Sequence, residues 1–456
     1  MEESQYSHSV SLNPDKCVGC TNCIKRCPTE AIRVRDGVAH IAEGRCIDCG
    51  ECIRSCPHHA KSALTDPFDI IEKFEYKVAL IAPSLYAQFG APATRRSVMT
   101  AIKNIGFDDV FEVAIGADVV TAASRKELIS NPSGLDMPII SSACPVIVRL
   151  IQMKYPGLIG NLLPYNSPME VTAESARNEI SSTLGIPGEK IGIIFISPCP
   201  AKRTAVKNPY GIEKSNVDGV IAISDAYPLI LSKLEKLDPT QVYAFDKRPV
   251  AAHEGIRWAS IGGESVALDT ERFLAVDGIH NVIDILEEIE NERLRDVDFI
   301  EANSCIGGCI GGPLTVANRY SAKTRLARYV EEARKKRAQD PESVFDPSSI
   351  QAKKWTGKLY PNNALMLDKD ISKALEKYET MCAIEKTLPE LDCGACGAPD
   401  CAALAEDIVR GEATETDCIF KLKEKIRSVA AEMSLLETEM TKLSRKAKEN
   451  DPKNHD

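Results

Sequence analysis

The chain has 456 residues, with 66 acidic against 56 basic side chains and a net charge of −10. Binding to nucleic acid is driven by Lys and Arg neutralising phosphates, so this balance, with no long basic stripe, argues against such a partner. The longest apolar runs, VALIA and IGIIFI, fall far short of a bilayer span, and MEESQYSHSV has no cationic-then-apolar export pattern, so a cytoplasmic protein without a membrane partner is expected.

The first 66 residues hold eight cysteines and few apolar runs, so they read as a small module held together by metal rather than by a core. Cys17-x2-Cys20-x2-Cys23-x3-Cys27-Pro28 recurs as Cys46-x2-Cys49-x2-Cys52-x3-Cys56-Pro57. This doubled spacing is the bacterial two-cluster ferredoxin arrangement, in which the fourth cysteine of each run ligates the other cluster. Cys17, Cys20, Cys23 and Cys56 are therefore expected to hold one [4Fe–4S] cluster, and Cys46, Cys49, Cys52 and Cys27 the second. Zinc ribbons use two separated Cys-x2-Cys pairs rather than three successive knuckles and Cys-Pro, which favours iron.

From Tyr76 the texture changes. Strand-like runs (KVALIA, DVFEVAI, MPIISSA, KIGIIFIS, DGVIAIS, VDFIEANS) alternate with helical periodicity at 95–105, 168–180 and 226–236, the signature of parallel βαβ units. Four cysteines follow such runs: Cys144 in SSACP, Cys199 in SPCPAK, and Cys305 with Cys309 in ANSCIGGCIGGP. Ligands gather at the carboxyl ends of parallel strands, and the flanking Gly and Pro suit tight turns around a cluster. The plainer alternative is four buried, inert thiols.

Across roughly 70–330 these motifs resemble the [FeFe]-hydrogenase family, which carries TSCCPxW, MPCxxKxxE and ExMxCxxGCxxGGGxP. The matches are Ser141-Ser142-Ala143-Cys144-Pro145, Ser197-Pro198-Cys199-Pro200-Ala201-Lys202, and Glu301 through Cys305, Cys309 and Pro313. The resemblance implies an H-cluster: a [4Fe–4S] cube on Cys144, Cys199, Cys305 and Cys309, joined through Cys309 to a diiron subcluster with CO, CN and dithiolate ligands. It also implies that Lys202 donates to one cyanide and the Pro83-Ser84 segment to the other, and that H2 and protons are the substrates.

The pattern also departs from the family. The proton-relay cysteine is Ala143, and the carboxylates of the upstream relay segment are Ala123 and Ser124. The usual methionines are Ser197 and Asn303, the usual Trp is Ile147, the second motif's Glu is Ala205, and the usual Gln is Met169. A broken relay slows turnover by roughly 10² to 10⁴ without abolishing binding, which a sensor tolerates, and the hydrogenase branches proposed to be sensory resemble this chain most. Glu127, Tyr165 and Glu170 are candidates for a substitute relay.

The stretch 335–349, KKRAQDPESVFDPSS, reads as a connector. Cys393-x2-Cys396-x4-Cys401-x16-Cys418 resembles the four-cysteine [4Fe–4S] motif of corrinoid iron–sulfur proteins, some electron-transfer complexes and sensory-type hydrogenases, with zinc as the alternative. Sixteen of the 17 cysteines are thereby assigned, which points to a reducing compartment; Cys382 is left as a plain thiol. Leu422, Ile426, Val429, Met433, Leu436, Met440 and Leu443 then recur at 4-3-4-3-4-3 spacing, a coiled-coil seam suited to a homodimer.

The expected organisation is an α+β two-cluster ferredoxin module over 1–66 and an α/β H-cluster domain with two parallel-sheet lobes over 67–380. A C-terminal [4Fe–4S] domain over 381–420 and a coiled-coil helix with its tail over 421–456 complete it. The expected activity is slow, reversible 2H⁺ + 2e⁻ ⇌ H2 in sensing or redox signalling, with a redox partner such as ferredoxin and a separate signalling partner. An iron–sulfur carrier, assembly or electron-transfer protein without a diiron unit is the competing expectation.

Overall fold

A computed structural model describes residues 8–238 and 249–449; residues 1–7 of the expected ferredoxin module, 239–248 and the tail 450–456 lie outside the described residues. Among the described residues the strands are β1 (Val10–Leu12), β2 (Ile32–Arg35), β3 (Val38–Ile41), β4 (Lys61–Ala63), β5 (Tyr76–Ile81) and β6 (Asp109–Glu112). They continue with β7 (Ile139–Ile140), β8 (Ile191–Ser197), β9 (Gly219–Ala222), β10 (Phe273–Asp277) and β11 (Phe299–Asn303).

By packing, the described residues form two compact units. One joins the residues up to Lys16 to Ile41–Leu365; the other joins Cys17–His40 to the residues from Met366 onward. The partition does not follow the linear motif segments, because the first cysteine run packs with the C-terminal cysteines.

In the larger unit, β6-β5-β8-β9 form one parallel sheet and β10-β11-β7 a second. These are the two parallel-sheet lobes. All seven residues of β8 are buried, as a β-branched strand covered on both faces must be. Helices Arg95–Lys103, Val113–Ser130, Pro168–Leu184, Pro200–Lys207 and Ile223–Leu234 provide the crossovers. The first is closed by a Thr94–Ser97 capping box, and Pro occupies the first turn of 168–184 and 200–207. One core gathers Ile81, Leu85, Tyr86, Ile102, Ile196 and Ile221; another gathers Ile140, Ile147, Leu150, Val282 and Ile300. β1 and β4 pair antiparallel, closing the ferredoxin part of this unit.

Two local expectations need correction, and one strand was not anticipated. DVFEVAI is strand only to Glu112, because Val113 opens a helix whose apolar side chains face the core. The expected connector begins inside a helix: Arg319–Gln339 continues through the Lys, Arg and Ala of 335–339, good helix formers, and the break comes only at Pro341. FLAVD, unremarked in sequence, is edge strand β10, half-buried along its length.

In the smaller unit β2 and β3 pair through Asp36–Gly37, both at positive φ (51° and 77°), the demand of a two-residue hairpin. Helices Ile371–Glu385 and Cys401–Arg410 pack around Leu388, Ala398, Leu404 and Cys418. The terminal helix runs Ile419–Glu449.

Candidate functional site

Four cysteines converge in the larger unit. Cys144 follows β7 and caps helix Pro145–Lys154; Cys199 follows β8 and caps Pro200–Lys207; Cys305 and Cys309 sit on the loop after β11. All four line one cavity of about 110 Å³ together with Ala82, Pro83, Ser84, Ala143 and Lys202. Two helix N-termini thus present their positive ends beside thiolates. The loop closes tightly: a Cβ on Gly312 would meet the Pro198 carbonyl at 2.3 Å, so only glycine admits this approach.

The four thiols act on one another. Burial and the neighbouring Cys305, Cys144 and Cys309 push the Cys199 thiol well up, with Lys202 pulling the other way. Burial and Cys144 push Cys309 to about 12, and burial raises Cys305 against the pull of Arg54. Cys144, Cys199 and Cys305 are half-buried and Cys309 is open to the cavity; four thiols crowded in this way become thiolates together only when a positive centre sits among them. The polar lining fits an anion-bearing group as well. Ser84 is fully buried and its Oγ has no hydrogen-bond partner, and Lys202 Nζ donates to the Ala143 carbonyl at 3.1 Å. A side chain buried with unmet bonding capacity asks for a ligand.

Ala143 lines the cavity and offers no titratable group. Beside it, Ser141 Oγ donates to Glu264 Oε2 at 2.6 Å, and Ser141 Oγ accepts the Ala143 N–H at 3.3 Å. Glu264 also lines the cavity, is buried, and has no partner on Oε1. Burial and the nearby Glu301 hold its carboxyl well above the usual range. Burial raises Glu301 too, against the N–H groups of Gly262 and Ser265 that it accepts, both at 2.9 Å. The two carboxyls are therefore unequal, with Glu264, which accepts fewer hydrogen bonds, held the higher.

Sequence reasoning missed Glu264. Its signal was an acidic residue directly after Gly262-Gly263 in an apolar stretch. The three residues suggested as substitutes line other sites. Glu127 Oε1 accepts from Tyr165 at 2.8 Å and Ser133 at 2.7 Å, which holds its carboxyl down, and Glu170 accepts from Ser215 and Asn216. None of the three borders the cavity. Ser124, at a former acidic position, turns its hydroxyl back onto the Val120 carbonyl.

The eight N-terminal cysteines show the internal repeat in their backbone. Gly19 and Asp48 (φ 62° and 58°), Thr21 and Gly50 (62° and 76°), and Glu30 and His59 (51° and 49°) are left-handed at matching places. Ala31 N–H reaches Cys27 Sγ at 3.2 Å and Ala60 N–H reaches Cys56 Sγ at 3.3 Å, the kind of donor that steadies a cluster thiolate. Cys17, Cys20, Cys23 and Cys27 belong to the smaller unit, and Cys46, Cys49, Cys52 and Cys56 to the larger.

In the smaller unit Gly394 and Gly397 (φ 76° and 81°) bend the loop carrying Cys393 and Cys396, Cys401 opens a helix, and Cys418 is buried in the small core. The first cysteine run holds this loop. Val34 N–H donates to Gly397 O at 2.8 Å, Arg35 Nη1 to Cys396 O at 2.9 Å, and Lys25 Nζ to Pro399 O at 2.6 Å. Arg33 and Arg35 converge on buried Asp407 at 2.7 and 2.6 Å.

Comparison with known proteins adds the following. The family model described as "Iron only hydrogenase large subunit, C-terminal domain" matches residues 75–268 and 234–313, together more than half the chain. A "4Fe-4S dicluster domain" matches 9–57, and an Fe–S cluster motif matches 388–420. Iron hydrogenase 1 of Clostridium pasteurianum is 24% identical over 300 residues, covering 55% of this chain and 51% of that protein. A probable cytosolic Fe–S cluster assembly factor of Drosophila melanogaster is 19% identical over 393 residues, covering 73% and 79%. Among solved structures, the [FeFe]-hydrogenase HydA1 of Chlamydomonas reinhardtii matches with a TM-score of 0.47 at 14% identity, covering 65% and 97%. The chain spans about half the length of the hydrogenases that head these relatives. Among the described residues no helix is long and apolar enough to cross a membrane.

Proposed function

The chain belongs to the iron-only hydrogenase large-subunit family, and from that premise we propose that it reacts reversibly and slowly with H2 at an H-cluster and serves in sensing or redox signalling. The observation that carries this reading is one cavity combining four cysteines with Lys202 and an unpartnered, buried Ser84. A cube alone needs the cysteines; it has no use for a cation and a free hydroxyl across the cavity.

Cys144, Cys199, Cys305 and Cys309 would hold the cube and its attached diiron unit, and that unit, when bound, supplies the centre at which H2 is split or formed. Lys202 would donate to one anionic diatomic ligand, and Ser84 with the backbone after Pro83 to the other. Ala82, Val113, Ala143, Met169 and Phe195 make much of the wall apolar, and a low-dielectric surround would strengthen both contacts. Ala143 moves no proton. Ser141 and Glu264 take that part: Glu264 holds a proton at its carboxyl and Ser141 Oγ passes one along the wall of the cavity. A path of two weakly acidic groups is slow, which agrees with a reporting role.

Electrons would pass through the clusters of the two ferredoxin runs to a carrier such as a ferredoxin, with the Cys393, Cys396, Cys401, Cys418 cluster as a further branch. The terminal helix leaves Leu422, Ile426, Val429, Met433, Leu436, Met440 and Leu443 exposed on one stripe, a seam for a second copy and an approach for a signalling partner. The family resemblance to cytosolic assembly factors supports a second reading, a cluster carrier without a diiron unit, in the cytoplasm.

An anaerobic infrared spectrum of protein loaded with a diiron precursor, taken under argon and then H2, separates the two. CO and CN bands that shift reversibly with H2 are expected; full cube loading with no such bands would establish the carrier instead.

A further inference from the structure

Arg54 takes no part in the reading above. It lies on the short helix Glu51–Ser55, between Cys52 and Cys56 of the second ferredoxin run. Its Nη2 nevertheless donates to Cys305 Sγ at 2.9 Å and to the Gly311 carbonyl at 3.4 Å. The guanidinium also lies within the field of Cys49, and its Nη1 pairs with Glu51. One permanent cation therefore stands between a thiol of the ferredoxin run and a thiol of the cavity set. The two loops are pressed together beside it: Gly50 is left-handed, and a Cβ there would meet Pro313 Cγ at 2.7 Å.

We propose that Arg54 sets the reduction potential of the cube held by Cys144, Cys199, Cys305 and Cys309, through its hydrogen bond to Cys305, with Glu51 moderating its charge. The proposal rests on the four-cysteine reading of the cavity. Reduction adds one electron and one negative charge to the cluster. A cation and an N–H donor on a ligating sulfur stabilise the reduced form more than the oxidised one, so they raise the potential. Arginine suits the position because it stays charged at every working pH and its planar fork can hold a sulfur and a carbonyl at once. Glu51 takes the other edge of the fork and returns part of that charge. Arg54 is a positioning and tuning residue; it touches no reacting atom.

The test uses the full chain reconstituted with iron and sulfide, without diiron precursor, and follows the cube by EPR through a redox titration. The cube's signal is the one lost in Cys144→Ser. Arg54→Gln should lower the cube potential, changing the reduced-to-oxidised ratio at fixed applied potential roughly tenfold, about 59 mV for a one-electron couple. Glu51→Gln should move it the opposite way, and Arg54→Lys should fall between Arg54→Gln and the parent. A purely structural role for Arg54 would change cube loading without this graded order of potentials among Arg54→Gln, Arg54→Lys and the parent.

An unchanged potential in Arg54→Gln with iron content intact overturns the proposal. If Arg54→Gln loads no cube, Arg54→Lys decides: a loaded cube with a potential below the parent's sustains the proposal, and a potential equal to the parent's overturns it. A parent protein with full ferredoxin signals and no cube signal overturns the four-cysteine reading itself, and the tuning role with it.

Discussion

The cavity cysteines and those of the smaller unit share one ligand chemistry on opposite kinds of support. Cys144 and Cys199 cap helices that leave strands of two apolar lobes, so Ile140, Ile147, Ile196 and their neighbours fix the backbone that carries these thiols. Around Cys396, Cys401 and Cys418 the core is a handful of small side chains, with Cys418 itself a member. There, Arg33, Arg35 and Lys25 do by charge and hydrogen bonding what a larger core does elsewhere. On the proposed reading, a preformed scaffold would receive its cluster, whereas a small one would be partly made by it.

The largest break in that comparison comes from taking the metal away. Iron-free protein should keep hydrogen-exchange protection in β5, β8 and β11 and lose it through 388–418; equal loss in both would show that the lobes too are built by metal. Replacing Cys309 with Ser is confined to one side: CO and CN bands should vanish from loaded protein while the ferredoxin EPR signals remain. Persistence of the bands would move the bridging ligand elsewhere.

Asp407→Ala strands two arginines beside a buried position and should destabilise the smaller unit by about 3 kcal/mol, read as a lower melting step with the C-terminal cluster signal diminished. The cavity's infrared bands should not move. Glu264→Gln should slow H2 turnover by about 10² with the bands unshifted. It also carries a pH signature. A carboxyl raised on folding keeps its proton while the unfolded chain releases its own above about pH 4.3, so stability falls as pH rises through that window. The Gln variant should melt with a flatter pH dependence than the parent on the alkaline side. An identical profile would take Glu264 out of the relay.

The smallest effect is expected at the terminal helix. Leu436→Asp should alter stability by no more than about 0.5 kcal/mol and leave every cluster signal unchanged, while sedimentation shows a shift from dimer to monomer. A parent that already sediments as a monomer removes the seam.

Much of this was legible in the chain because cysteine spacing is local. Two-residue gaps and Cys-Pro announce a ferredoxin run without any fold, and strand-like runs ending in Cys144, Cys199 and Cys305 announce a site at strand ends. The rest depends on partners far apart in sequence. Glu264 gains its meaning from Ser141, more than a hundred residues away, and Asp407 from Arg33 and Arg35 at the other end of the chain. No periodicity encodes such meetings. The helix ending at Gln339 was hidden for another reason: charged residues suit a loop and a solvated helix equally, and only Pro341 marks the stop.

The contact of Gly50 with Pro313 restricts how this molecule could be re-engineered or inherited. A foreign electron-carrying segment grafted in front of the cavity would have to bring a glycine to that place, or its first side chain would collide with the proline ring. The two stretches, though more than 250 residues apart, behave as a single exchangeable part.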